Sequence, residues 1–351
     1  MADPRPRVWV SQPLFDEVVE QLGQHFQLEM THAVTRYTPA QLAERLAGVD
    51  GAPITLNERI GAAEIANAPR LRAIANVGVG YNNLDVEALS SAGILASNTP
   101  DVLTETTADL GFALLMATAR RITEAERWLR EGQWGQWSFQ TLLGADIHGS
   151  TLGILGMGRI GQGIARRGAL GFGMRVLYHN RSRLPEATEA EVGAQYVDLD
   201  TLLAQADHLV LVLPYNASSH HIIDAAALAK MKPTATLVNI ARGGIVDEAA
   251  LAAALANGGL AAAGLDVFEG EPTVRPALLA LRNVVLTPHI GSASQATRRA
   301  MVQLAVDNLT AALDAGPQAG DPPSALNAQA VADARRARAG VGGKDIDDAK
   351  R

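Results

Sequence analysis

Short apolar runs alternate with longer amphipathic stretches over the first part of the chain. Strand-like runs at 7–10, 71–75 and 93–97 are separated by stretches such as 39–46, where apolar residues recur at helical spacing. Alternation of this kind predicts a parallel sheet covered by helices. A Thr-Pro-Asp turn at 99–101 then breaks the pattern.

The same alternation returns in the second half of the chain. The turn is followed by the Ala-rich segment 104–119, whose uninterrupted apolar pattern predicts a helix leaving the first domain. Helical patterns then separate six strand candidates, an order typical of a doubly wound dinucleotide-binding fold. These candidates are 151–155, 175–178, 209–213, 236–240, 263–267 and 283–286. One more amphipathic helix is predicted at 294–315, and the Ala-, Gly- and charge-rich segment 317–351 is predicted to remain unpacked.

Length and composition narrow the class of protein. A chain of 351 residues suggests two domains, which we expect to be separated by a cleft. No apolar run approaches the roughly 20 residues that a membrane span needs, and no secretory signal opens the chain, so we expect a cytoplasmic protein. A net charge of −7 without a basic run disfavours nucleic acid as a partner. With no cysteine, the chemistry must use oxygen and nitrogen groups.

A glycine loop follows the first strand of the second region. Gly156, Gly158 and Gly161 have the G-x-G-x-x-G spacing, and a helical run begins at about Ile160. Glycines allow a tight turn close to a pyrophosphate, and the helix N-terminus supplies free N–H groups. We therefore assign the loop, including Arg159 and Ile160, to a dinucleotide.

The end of the next strand bears on which dinucleotide binds. An NAD site usually has an acidic residue about 20 residues after the glycines, but this strand ends in Asn180, Arg181, Ser182 and Arg183. Arginine and serine side chains suit a 2′-phosphate, which a carboxylate would repel. NADP(H) is the preferred cofactor on this reasoning. The alternative is an NAD(H) site beside solvated arginines.

Several motifs in the same order resemble those of the D-isomer-specific 2-hydroxyacid dehydrogenases, in particular the branch of glyoxylate/hydroxypyruvate and 2-ketogluconate reductases. Besides the glycine loop, the motifs are the glycine-rich segment 77–85, Arg-Gly-Gly at 242–244, Gly-Glu-Pro at 270–272 and Pro-His-Ile-Gly-Ser at 288–292. The resemblance extends over about 7–315.

This resemblance implies an α/β fold of two Rossmann-like domains. A flavodoxin-like substrate domain would take 1–100 with 288–316, and a doubly wound NADP-binding domain would take 101–287. The segment 317–351 would be a flexible tail. The resemblance also implies a homodimer, in which Trp134 and Trp137 lie in a segment that contacts the partner and can reach its active site.

The same resemblance places the catalytic residues at Arg242, Glu271 and His289. Reduction of a 2-oxo acid requires a hydride, a proton for the developing alkoxide, and a cation for the carboxylate and oxyanion. Histidine can supply the proton near neutral pH, and an adjacent carboxylate favours the imidazolium and orients the ring. Arginine holds an acid through paired donors.

Further family positions match residues that would contact the ligands. Val79 and Gly80 lie in a glycine-rich turn whose N–H groups can face a substrate carboxylate, and Trp137 would also contact substrate. Asp266 matches a position that contacts the nicotinamide carboxamide. The remaining cofactor positions carried over are Leu213, Pro214, Ile240 and Gly291.

The predicted activity is NADPH-dependent reduction of a small 2-oxo acid to a D-2-hydroxy acid, with glyoxylate, hydroxypyruvate and 2-ketogluconate as the candidate substrates. The alternatives are an NAD-dependent D-2-hydroxyacid, formate or phosphite dehydrogenase, or a dinucleotide-dependent binding or corepressor protein. No metal site is expected, because His220 and His221 are adjacent and no H-E-x-x-H spacing occurs.

Overall fold

The computed structural model describes residues 5–342, with side chains as far as residue 337. The chain divides into two compact units. The first unit contains the chain up to Leu103 and again from Ser294, and the second unit contains Thr104–Ala293. The second boundary thus follows Ala293 instead of preceding residue 288 as predicted, because the backbone N–H of His289 donates to Asp266 O at 2.9 Å and keeps this segment in the second unit.

The first unit is an α/β layer structure with one parallel sheet. Its order of strands is β2-β1-β3-β4-β5, the flavodoxin-like order, and all of the strand pairs are parallel. Its first nine elements are β1 (Arg7–Val10), α1 (Asp16–His25), β2 (Gln27–Met30), α2 (Pro39–Ala47), β3 (Gly51–Ile54), α3 (Ala62–Ile65), β4 (Ala73–Asn76), α4 (Val86–Ala92) and β5 (Leu95–Ser97).

Two C-terminal helices complete the first unit. Helix α13 (Gln295–Ala312) is capped by Ser294, whose side chain accepts from Thr297 N. The helix buries Val306 and Leu309 in the core with β1 and β4. Helix α14 (Ala328–Gly342) follows.

The second unit is a larger parallel α/β structure of 15 α-helices and β-strands, besides a π-helix at Arg167–Gly171 and a 3-10 helix at Gly243–Ile245. They are α5 (Thr104–Ala119), α6 (Ile122–Arg130), β6 (Thr151–Leu155), α7 (Arg159–Arg166), β7 (Arg175–His179), α8 (Glu186–Ala190), β8 (Gln195–Tyr196), α9 (Leu199–Gln205), β9 (His208–Leu211), α10 (Ala225–Leu228), β10 (Thr236–Asn239), α11 (Glu248–Ala256), β11 (Ala262–Leu265), α12 (Pro276–Leu279) and β12 (Val284–Leu286). None of the helices in the described part of the chain has both the length and the apolar character needed to cross a membrane.

The sheet of the second unit has the order β12-β11-β10-β9-β6-β7-β8, with every pair parallel. This is the doubly wound order with one strand added at the β12 edge, and the order reverses direction at β6. All six predicted strands are present. The two-residue strand β8 was not predicted, because so short an element has no apolar period. The carboxyl ends of β6, β10 and β11 place the glycine loop, Arg242 and Asp266 at one edge.

Residues 324–331 are packed against the rest of the first unit, which corrects the prediction of a flexible tail for this part of the C-terminal segment. Val331 is buried, and the Asn327 side chain accepts from Ala96 N at 2.8 Å and donates to Ile94 O at 3.0 Å. Ser324 Oγ donates to Asn98 O at 2.6 Å. The sequence did not predict these contacts, because a few polar side chains make them by hydrogen-bonding to the backbone of and around β5. A sustained apolar stripe, which the sequence could have shown, is not involved. Residues 343–351 lie outside the described residues.

We expect Asn327→Ala to lower the melting temperature by about 4–10 °C, because the buried N–H of Ala96 would lose its acceptor at a cost of about 1–3 kcal/mol. Thermal unfolding followed by circular dichroism measures this effect. Gln329→Ala is the matched control, since that side chain is exposed and donates to Asp333 of its own helix. Equal melting temperatures for the two variants would contradict this account of the segment.

Candidate active site

The glycine loop connects β6 to α7, and each glycine meets a different geometric need. Gly156 has φ 98°, and a Cβ there would lie 2.6 Å from Leu213 N. A Cβ on Gly161 would lie 2.7 Å from Gly156 O, so the first turn of α7 packs directly on the loop. Gly158 is the N-cap of α7, and a Cβ there would meet nothing within 4 Å. The loop therefore leaves open space beside backbone N–H groups, as a bound pyrophosphate requires.

Arg159 and Ile160 begin α7 directly after the glycine loop, and Arg159 is exposed. Two other predicted cofactor residues also shape this region. Leu213 packs on Gly156, while the Pro214 carbonyl accepts from Ser219 Oγ at 2.9 Å. These contacts order the turn after β9.

Four predicted cofactor residues follow β7, and the structure gives two of them partners within the protein. Asn180 Oδ1 accepts from Met157 N at 2.6 Å, so this side chain holds the glycine loop. Arg183 donates to both carboxylate oxygens of the largely buried Glu189, at 2.9 and 2.7 Å. Hydrogen bonds from Arg183 and then Tyr178 lower the pKa of Glu189 to about 2. Arg181 and Ser182 are exposed.

His289 and Glu271 form a hydrogen-bonded pair. His289 Nδ1 donates to Glu271 Oε2 at 2.8 Å, while Phe268 N donates to Glu271 Oε1 at 2.9 Å. Burial acts to raise the pKa of Glu271, but the hydrogen bond and charge of His289, the Phe268 N–H and the charge of Arg242 outweigh it and lower that pKa. Glu271 is therefore a carboxylate at neutral pH, and the Nε2 atom of His289 is the ring nitrogen left for proton transfer.

Arg242 lies on the turn after β10, beside the loop that carries Glu271. Its Nη1 donates to Ala241 O at 2.7 Å, and Asn239 Nδ2 donates to Arg242 O at 2.9 Å. A Cβ on Gly243 would lie 1.9 Å from the backbone carbon of Phe268, so only glycine allows the two loops to approach this closely. Burial lowers the pKa of Arg242, and the charge of Glu271 opposes this effect. A cation, a carboxylate and an imidazole thus lie together.

Comparison with known proteins identifies the family. The family model described as "D-isomer specific 2-hydroxyacid dehydrogenase, NAD binding domain" matches residues 112–291. The chain belongs to this family. It is an oxidoreductase of the nicotinamide-dependent dehydrogenases, and the two α/β units are the fold expected from the motifs.

Relatives named for their activities are similar to this chain over most of their length. The glyoxylate reductase of Thermococcus onnurineus is 46% identical over 311 residues, which is 88% of this chain and 92% of the relative. Glyoxylate/hydroxypyruvate reductase B of Klebsiella pneumoniae is 45% identical, over 88% of this chain and 96% of the relative. The crystal structure of NADPH-dependent glyoxylate/hydroxypyruvate reductase from Sinorhizobium meliloti with NADP and malonate has a TM-score of 0.80 and 37% identity, covering 92% and 97% of the two chains.

In this dehydrogenase, Asp266 orders the segment that carries His289. Its carboxylate accepts from Thr287 Oγ1 at 2.7 Å and from the N–H groups of Ile290 and Gly291, each at 2.8 Å. Burial raises the pKa of Asp266, and these hydrogen bonds oppose the rise. The structure therefore shows Asp266 supporting the histidine loop, whereas its predicted contact with the nicotinamide stays a prediction.

Three of the other predicted ligand residues lie after strands of the two units. Ile240 is buried at the end of β10, where its side chain approaches Gly111 of α5. Val79 and Gly80 follow β4 in the first unit, and their carbonyls accept from Asn98 Nδ2 at 2.8 Å and Asn76 Nδ2 at 3.0 Å.

Trp134 and Trp137 lie in the segment between α6 and β6 and are 54% and 70% exposed. Trp137 contacts Phe139 edge to face, with ring centroids 4.5 Å apart.

Sequence reasoning missed the residues that support the site. Glu248 accepts from Glu269 N at 2.6 Å, and Asn239 and Thr287 hold the two other loops. Each lies at or just after a strand end or at a helix start, but no motif distinguishes it from an ordinary capping residue. The signal that could have found them is their position beside the strand ends of the second unit, which requires the topology.

Proposed function

We propose that this enzyme reduces glyoxylate, hydroxypyruvate and similar small 2-oxo acids to D-2-hydroxy acids with NADPH. The observation that carries the proposal is the 2.8 Å hydrogen bond between His289 and Glu271, on loops that also hold Arg242 nearby. A proton donor and a cation are what the carbonyl of a 2-oxo acid requires for reduction. The substrate class comes from the activities for which the relatives are named.

Each member of the site has a separate role in the proposed reaction. The bound nicotinamide cofactor supplies the hydride. His289 donates its Nε2 proton to the developing alkoxide, and Glu271 holds the ring through Nδ1. Arg242 holds the substrate carboxylate and the carbonyl oxygen through its guanidinium fork. Asp266 positions the histidine loop.

We propose that Arg181 and Ser182 bind the 2′-phosphate of NADPH. Both are exposed at the end of β7, where an NAD-dependent relative would usually have an acidic residue. Arg183 is assigned instead to Glu189, because both of its hydrogen-bonded donors are directed to that carboxylate. The Sinorhizobium meliloti structure, described as NADPH-dependent, supports this choice of cofactor.

Arg181→Ala should raise the Kd for NADPH by about 10–100-fold and leave the Kd for NADH nearly unchanged, because one charge-assisted phosphate contact contributes about 1.5–3 kcal/mol. Fluorescence titration of each reduced cofactor measures both constants. Arg183→Ala is the matched control, for which we expect a smaller and less selective effect on the cofactor. Equal losses for the two cofactors in Arg181→Ala would refute the 2′-phosphate assignment.

We further propose that the first unit is the substrate domain, with the N–H groups of Val79 and Gly80 directed at the substrate carboxylate. The enzyme is also proposed to be a homodimer. Its support is the cluster of exposed apolar side chains on and after α6, a kind of surface that soluble monomers seldom leave uncovered. This cluster comprises Ile122, Leu129, Trp134, Trp137, Phe139 and Leu143. A cytoplasmic location stays a prediction.

The experiment that tests the proposed activity is a spectrophotometric screen at 340 nm. NADPH and NADH are each paired with glyoxylate, hydroxypyruvate, 2-ketogluconate and pyruvate, and the reverse assays use formate and phosphite with NAD. We expect turnover with NADPH and at least one of the first three acids. Oxidation of formate or phosphite with NAD would favour that alternative. Absence of turnover with every pair, while NADPH still binds, would favour a dinucleotide-dependent binding protein.

A further inference from the structure

The second unit contains a cluster of side chains of the kinds that bind metal ions, and none of them is assigned a role in the reduction. It consists of His220, His221 and Glu269, which each offer one ligand atom within 4.8 Å of the other two. His221 Nε2 donates to Glu269 Oε1 at 3.0 Å, and the two imidazole rings stack with centroids 3.9 Å apart. Two imidazoles and one carboxylate are a set of ligands that Zn²⁺ uses, with water as the fourth ligand.

The Tyr215 hydroxyl contacts the His220 ring, as outer polar groups commonly contact histidines that bind metals. Tyr215 Oη lies 3.1 Å from His220 Nδ1, and the Tyr215 ring packs so closely on Gly244 that a Cβ there would lie 2.7 Å from it. When the hydroxyl accepts the Nδ1 proton, Nε2 keeps the lone pair that a metal needs. The tyrosine thus supports the tautomer and orientation that a ligand requires.

The backbone of His221 has an unusual conformation and is held in it. Its φ of 49° lies in the left-handed region, which residues other than glycine seldom adopt. His221 N donates to Gly244 O at 2.8 Å, so the turn after Arg242 helps to hold this conformation. Strained backbone of this kind is concentrated at functional sites.

Charge around the cluster favours a cation. Glu248 accepts from the backbone N–H of Glu269, and Asp247 accepts from the N–H groups that begin α11. With Glu269 these residues place three carboxylates in one region. The cations of this region are Arg275, which lies 3.9 Å from Glu248, and Arg242 on the turn after β10. The surplus of negative charge lowers the cost of bringing a divalent ion to the two imidazoles.

We propose that His220, His221 and Glu269 bind one Zn²⁺ ion per chain, and that the ion ties the turn at 220–221 to the loop that carries Glu271. The three ligand atoms lie within 4.8 Å of one another, and in the proposed site each would lie about 2.0–2.2 Å from a common ion. Binding through His221 Nε2 replaces the hydrogen bond to Glu269, and the proton on that nitrogen moves to Nδ1 of the same ring. This inference goes beyond the proposed function, since the three ligands have no role in hydride or proton transfer.

The test uses the full chain with NADPH bound, stripped of metal by chelation and then titrated with Zn²⁺ by calorimetry. We expect one ion per chain and a higher melting temperature with Zn²⁺ present. Co²⁺ added in place of Zn²⁺ should give visible absorption bands of a low-coordinate nitrogen and oxygen site. Glu269→Gln and His220→Gln should each weaken Zn²⁺ binding at least tenfold. His32→Gln, which removes an exposed histidine of the first unit, should leave binding unchanged.

The His289–Glu271 pair is the competing location for the ion, and it is tested separately. His289→Asn should keep the wild-type affinity for Zn²⁺ if the proposed cluster is the site. Loss of binding in His289→Asn with retention in Glu269→Gln would place the ion at the acid/base pair and overturn the proposal. Equal affinities in all of the variants would indicate an adventitious ion only and would also overturn it. Because the two ligand variants change exposed side chains, circular dichroism can verify folding, and either variant suffices if the other fails to fold.

Discussion

Replacing His289 by glutamine is expected to slow glyoxylate reduction by about 10²–10⁴-fold while leaving the affinity for NADPH unchanged. The ring is the proposed source of the proton for the alkoxide, and glutamine cannot donate a proton in that way. The substitution should leave the segment in place, because its hydrogen bonds to Asp266 come from the Thr287 hydroxyl and from backbone N–H groups, none of which is the His289 side chain. The loss should therefore fall on turnover.

The pH dependence separates this role from a structural one. Because the pKa of Glu271 is lowered by its interaction with His289, its charge is present through the neutral range and is lost only as pH falls below the ordinary value for a glutamate. Reduction requires the protonated imidazole, so its rate should fall as pH rises, while oxidation should show the opposite limb. Glu271→Gln should slow reduction, because the His289 ring loses the carboxylate that orients it.

The measurement is pre-steady-state hydride transfer, followed by NADPH absorbance across pH for the wild type, His289→Gln and Glu271→Gln. His148→Gln, which changes an exposed histidine of the same unit, is the control and should behave as the wild type. If His289→Gln transfers hydride at the wild-type rate with the wild-type pH profile, His289 is not the acid and the proposed site is incorrect.

Arg242→Ala should lower kcat/KM for glyoxylate by about 10²–10⁴-fold, because KM rises and kcat falls. Two charge-assisted hydrogen bonds to the substrate, each contributing about 1.5–3 kcal/mol, account for a loss of that size. The guanidinium is half-buried beside Glu271, where its charge meets less competition from water than on an open surface. The effect on both constants distinguishes Arg242 from His289, whose loss should leave the ground state nearly unchanged.

Arg242→Lys is the informative control for this second prediction. Lysine keeps the positive charge but lacks the planar fork, so its kcat/KM should lie between those of the wild type and Arg242→Ala. Steady-state kinetics with NADPH saturating give both constants. A variant Arg242→Ala with wild-type KM and kcat would remove Arg242 from the site, and a loss explained entirely by unfolding would be visible in its melting curve.

Local patterns were sufficient for many of the elements and for the motifs. Helix α5 and strand β6 have the predicted bounds, because an uninterrupted apolar pattern and a following glycine loop are properties of adjacent residues. The match of ordered motifs to a family was likewise a property of the sequence, and the family model confirms it. Strand β3 was missed because Gly51 and Pro53 give it the composition of a turn, although it lies buried in the middle of its sheet.

The partner of each charged side chain was decided by tertiary structure. Arg183 had the same local features as Arg181, yet the fold of its loop pairs it with Glu189. The first-unit contacts of Asn327 and the approach of Glu269 to His221 join segments far apart in the chain, so no spacing within one segment could indicate them. The amino-acid sequence by itself determined the order of elements and the family, because these depend on short-range backbone and apolar preferences. Which polar groups meet was decided only when the parallel strands brought their carboxyl ends together, since a hydrogen bond depends on separations of about 3 Å that only the folded chain sets.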